Sequence, residues 1–125
     1  HEACGEDREL PLSTAMPDNL FAALPPLGAT EEQFTNLLKT PGLRIERIVS
    51  TGQSSPPGFW YDQAGDEWVV LIAGEALLRF ADEPEPRRLR PGDHLDIAAG
   101  RRHRVDWTKP GEHTIWLAIH RTRGE

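Results

Sequence analysis

The sequence predicts an all-β chain that closes into one antiparallel barrel, with one or two short helices ahead of it. From Leu43 onward, apolar residues recur with period two in short runs. Clusters of Gly, Pro, Asp and Ser punctuate those runs every 8–12 residues or so, the spacing of a sandwich or barrel. The gaps are too short for the helical crossovers that parallel strands require.

The elements follow in order. Leu20–Leu24 is a short helical candidate stopped by Pro25 and Pro26. Thr30-Glu-Glu-Gln33 reads as a capping box, and Phe34, Leu37 and Leu38 follow at i, i+3 and i+4. This predicts a helix over Glu31–Lys39, ended by Thr40-Pro41-Gly42. Strands are then predicted at Leu43–Val49, Phe59–Gln63, Glu67–Ala73, Ala76–Phe80, Arg87–Leu89, His94–Ile97, His103–Trp107 and Thr114–His120. Residues 1–17 are read as an N-terminal tail, 18–42 as a short helical segment and 43–125 as the barrel. The only methionine, Met16, opens a stretch resembling a natural start, so residues 1–15 read as an added or upstream extension, expected to pack loosely.

Composition narrows the function. The 125 residues suit one domain, and their net charge of −6 disfavours a nucleic-acid partner. A lone cysteine, Cys4, cannot form an internal disulfide. No apolar run reaches the length of about 18 residues or more that spans a membrane, and no basic-then-apolar leader is visible, so the expected location is cytoplasmic.

Several residues stand out. Glu67 opens an apolar strand and shares a face with Val69 and Leu71. It is either an inward carboxylate at the barrel mouth or an exposed strand start. His103, in Gly100-Arg-Arg-His-Arg-Val-Asp-Trp107, reads by itself as a hydrogen-bonded histidine of core or surface. His94, His113 and His120 lack metal-ligand spacing. Alternation puts Phe59, Tyr61 and Gln63 on the face of Glu67, and Trp107 on that of His103. Phe59, Tyr61, Val69 and Trp107 are thus expected to line a small-molecule pocket. Arg87, Arg88, Arg90, Arg101, Arg102 and Arg104 form a basic cluster, read as a solvated face neutralised by interleaved acids rather than an anion site.

The order of these pieces resembles the cupin family, small jelly-roll barrels with two motifs. The first is Gly, five residues, His-x-His, three or four residues, Glu, six residues, Gly; Glu67 and Gly74 match its second half. The second is Gly, five residues, Pro-x-Gly, two residues, His, three residues, Asn. Gly92, Gly100 and His103 keep that spacing, with Ala98 and Trp107 replacing Pro and Asn. The likeness runs from about Leu43 to Arg121 and implies a jelly-roll barrel. It also implies a divalent metal (Zn, Mn, Fe or Ni) held by Gln63, Glu67 and His103, although Tyr61 and Gln63 (three-residue spacer) or Trp60 and Asp62 (four-residue spacer) stand where two histidines would complete the set. The resemblance leaves three functions open. One is a metal-dependent enzyme, isomerase- or dioxygenase-like, acting on a sugar phosphate or small organic acid. Another is a metal-free acid–base isomerase or epimerase, with His103 as base, Tyr61 as acid and Glu67 orienting the imidazole. The third is a non-catalytic ligand-binding or sensor module. It further implies a homodimer formed through the N-terminal segment and edge strands.

Overall fold

The computed structural model describes residues 18–122. Eight strands form two antiparallel sheets. They are β1 (Gln33–Thr40), β2 (Leu43–Ser50), β3 (Asp66–Ala73), β4 (Ala76–Phe80), β5 (Arg87–Leu89), β6 (His94–Ile97), β7 (His103–Thr108) and β8 (Thr114–Arg121). The larger sheet runs β1-β2-β8-β3-β6 and the smaller β5-β4-β7. Their inner faces meet in one core: Val69, Leu71, Ile97, Trp116 and Ala118 from the first, Ala76, Leu78, Phe80 and Leu89 from the second. Such a core fits a jelly roll, two sheets closing over alternating inward residues.

The expected helices do not form. Among the described residues no segment is helical. The segment predicted as Glu31–Lys39 is instead the edge strand β1, in register with β2 from Gln33↔Val49 to Thr40↔Leu43. A nine-residue helix is marginal alone, and here tertiary contacts use its capping residues. Gln33 accepts from Arg47 at 2.5 Å, and Glu32 accepts from the Ser50 hydroxyl. A bulge at Leu37 resets the strand, so the i, i+3, i+4 pattern marks no single face.

Leu20–Leu24 is likewise a turn, with the Ala22 amide donating to the Asn19 carbonyl at 3.0 Å. Its carbonyls face Arg47, a fully buried side chain on the outer face of β2. The guanidinium donates to the carbonyls of Leu20, Ala22 and Ala23 at 3.2, 2.6 and 3.1 Å. One cation thus ties the N-terminal segment across the outside of the large sheet.

Phe59–Gln63 is not a full strand. It touches the sheet through one bridge, in which the Tyr61 amide donates to the His103 carbonyl at 2.7 Å. The turn after β3 is dictated by Gly74, at φ +86°, where a Cβ would lie 2.5 Å from the Thr114 Cα. The boundaries expected for residues 1–17 fall outside the described residues.

Candidate functional site

Glu67 and His103 come from opposite sheets and meet in the barrel interior. On β3, Glu67, Val69 and Leu71 are buried while the residues between them are more open, as alternation requires. Glu67 lies in register with Ile97 of β6 and with His120 of β8. His103 opens β7, and its Nε2 stands 3.8 Å from Glu67 Oε1. That gap is too long for a hydrogen bond. Glu67 Oε1 is buried without a hydrogen-bond partner among the described residues.

The tautomer of His103 follows from its other nitrogen. Nδ1 lies 2.9 Å from the Arg101 carbonyl, which can only accept, so Nδ1 carries a hydrogen. In the neutral ring, Nε2 then presents a lone pair toward Glu67. It is the Arg101 carbonyl, rather than Glu67, that orients this imidazole. Tyr61 stacks on it, with ring centroids 5.4 Å apart. Burial pushes the Glu67 carboxyl above the ordinary 4.5, and neighbouring His120 and His103 oppose this. Ion-pair proximity and upward shift point in opposite directions, and burial prevails because no hydrogen bond stabilises the carboxylate. Burial also raises the Tyr61 phenol, reinforced by the carboxylates of Glu32, Glu67 and Glu46, so it stays protonated.

A cavity of about 230 Å³ opens beside this pair. Tyr61, Gln63, Glu67, Val69 and His103 line it, as do Leu78, Ile97 and Val105. Two residues expected there are elsewhere. A bulge in β7 pairs Leu78 with Val105 but Leu77 with Trp107, so Trp107 shares the outward face of Leu77. Trp116 supplies the indole wall instead. Phe59 is 41% exposed and packs edge-on against Tyr61, outside the cavity lining.

The wall also holds Glu46, Arg44 and His120, which period counting did not bring together. His120 Nε2 lies 3.1 Å from Glu46 Oε1, and Arg44 3.2 Å from the same oxygen. Burial raises the Glu46 carboxyl, but His120 and Arg44 together outweigh it and hold the group below its usual range. The signal for His120 was its place on the face of Trp116 and Ala118. Its position opposite Glu67 depends on strand order, which the sequence does not display. The arginine cluster is largely neutralised: Arg87 pairs with Glu83, Arg88 with Glu75, Arg101 with Asp82 and Glu83, and Arg104 with Asp106.

The donor set does not fit the implied metal. Among the described residues, no three His, Cys, Asp or Glu side chains converge on a point that an ion could occupy. Gln63 and Tyr61 replace the two histidines of the first motif. Glu67 with one imidazole and an amide oxygen is a poor match for zinc and its neighbours, which favour nitrogen or sulfur donors.

One consequence of the buried carboxyl is measurable. The raised Glu67 keeps its proton when folded at pH values where the unfolded chain releases it, so its ionisation lowers stability as pH rises above 4.5. Glu67→Gln removes that penalty. Thermal melts between about pH 4 and pH 7 should show the variant gaining on the parent as pH increases. A constant difference across the series contradicts the assignment.

No family model matches the chain, and neither does any curated protein. Solved structures do. The "putative mannose-6-phosphate isomerase" of Ralstonia eutropha JMP134 is 50% identical, with a TM-score of 0.82 over 87% of this chain and 100% of that one. A cupin superfamily protein of Desulfitobacterium hafniense shares 20% identity, with a TM-score of 0.65 over 95% and 94% of the two chains. A conserved-barrel cupin 2 protein of Leptotrichia buccalis shares 20%, with a TM-score of 0.60 over 74% of this chain and 42% of that one. With two opposed antiparallel sheets and these structural neighbours, the chain has the cupin fold. Among the described residues, no helix is long and apolar enough to cross a membrane.

Proposed function

We propose that the chain is a sugar-phosphate isomerase working by proton transfer without a resident metal. The observation that carries this reading is the Glu67–His103 pair: a buried, raised carboxyl facing the imidazole Nε2, whose Nδ1 is held by the Arg101 carbonyl. A binding module needs no such pair. His103 Nε2 takes the proton from the carbon next to the carbonyl of an open-chain sugar. The C–H electrons form the enediol double bond, and the carbonyl oxygen receives a proton from Glu67 or Tyr61. His103 then returns a proton to the former carbonyl carbon while the neighbouring hydroxyl gives its proton back to the acid that had donated one, which forms the new carbonyl and completes the isomerisation. The gap of 3.8 Å leaves room for a substrate oxygen to join the two groups. The 50% identity to the Ralstonia protein favours a hexose 6-phosphate as substrate.

Mannose 6-phosphate in D₂O with chelator-treated protein tests this directly. Deuterium is expected at C1 of the fructose 6-phosphate that appears and at C2 of mannose 6-phosphate recovered through the reverse reaction. Exchange that requires added divalent metal sinks the metal-free mechanism, and no exchange under either condition sinks the isomerase. The same reading places the protein in the cytoplasm as a homodimer. Phe34 and Leu38, on opposite faces of edge strand β1 because of the bulge, are 53% and 46% exposed, and a second copy would cover this unpaired edge. Sedimentation should show a dimer that Phe34→Glu dissociates, whereas a monomeric parent refutes it.

A further inference from the structure

A second cavity, of about 320 Å³, is larger than the one that holds Glu67 and His103. It lies at the rim where β1 and β8 end and β2 and β3 begin. Arg44, Gln63 and His120 line both cavities and form their common boundary. The two differ in charge. The inner cavity carries Glu32, Glu46 and Glu67 against Arg44, whereas the rim carries Lys39, Arg44 and Arg121 against Asp66. On a chain of net charge −6, this is a local reversal of sign.

We infer that the rim cavity is the seat of a phosphate group, on a ligand whose uncharged sugar body reaches past Arg44 and His120 into the inner cavity. This deepens the isomerase reading and rests on it for the sugar portion only. Lys39 makes no ion pair with another described residue. Arg121 pairs with Asp96, whose side chain is 69% exposed, and such a surface pair contributes little and yields readily to a dianion. Arg44 shares Glu46 with His120, so Glu46 keeps a partner when Arg44 turns to a phosphate. Of the three cations at the rim, Arg44 and Arg121 have carboxylate partners in Glu46 and Asp96, which a dianion displaces more readily than a monoanion. The inner carboxylates would repel a phosphate, which sets the direction in which the ligand enters.

Calorimetric titration of the full chain with inorganic phosphate at low ionic strength is the test. Phosphate should bind, more tightly than acetate by about tenfold or more. Lys39→Glu and Arg121→Glu should each weaken it by about tenfold or more, as loss of a charge-assisted contact implies. Arg88→Glu, which makes the same charge change on β5 away from the rim, should leave it unchanged. Absence of phosphate binding, equal binding of acetate, or equal losses in all three variants overturns the assignment. If phosphate binds as expected but mannose 6-phosphate exchanges no deuterium, the anion seat stands and the isomerase reading alone fails.

Discussion

His103→Ala is expected to lower the rate of deuterium exchange into mannose 6-phosphate by about 10²- to 10⁴-fold, the range spanned by loss of a positioned general base. Most of the loss should fall on kcat, because the imidazole works on the transferring proton rather than on the phosphate. His103 is 5% exposed, so truncation also opens a cavity and orphans the Arg101 carbonyl. His103→Gln guards against misreading that damage as catalysis. It keeps a side chain that can donate to the carbonyl but supplies no base. Both variants should be inactive, and the glutamine variant should melt closer to the parent. Activity within about threefold of the parent in a folded His103→Gln protein removes His103 from the chemistry and the proposal with it.

Arg47→Ala is expected to cost about 3 kcal/mol of stability, measured as a fall in the denaturant midpoint. Its side chain is 1% exposed and binds three backbone carbonyls and Gln33. Deletion removes the packed stem, leaves those acceptors without their donor and frees residues 18–24 from the sheet. Arg47→Met separates the contributions, since it restores apolar volume without hydrogen bonds and should recover only part of the loss. The cut segment should also become protease-sensitive. A cost below about 1 kcal/mol for Arg47→Ala means that the segment is held by other contacts. Arg47 is remote in role from Glu67, because it points out of the barrel where Glu46 and Ile48 point in.

Period and turn chemistry were enough to place the barrel. Val69 and Leu71 alternate inward as counted, and the turns at Gly74 and Gly92 stand where strands end. Motif spacing brought Glu67 and His103 to one site although 36 positions separate them in the chain. The misplacements have specific causes. Bulges at Leu37 and between Val105 and Trp107 change the face of every later residue in the strand, and nothing local marks them. The helical pattern of Glu31–Lys39 was real as a pattern. It lost to pairing with β2, which supplies hydrogen bonds that a short helix would have to find within itself.

By itself, then, the sequence determined an antiparallel barrel, its two motifs and a carboxylate–imidazole pair, because these depend on local alternation and fixed spacing. Tertiary structure alone decided that β1 is a strand, that Trp107 turns outward, and that Glu46, His120 and Arg44 join the wall. It also decided that cations from Lys39 to Arg121 gather at one rim. Those outcomes depend on which strands become neighbours and on single-residue bulges, and neither property resides in any stretch of sequence read along its own length.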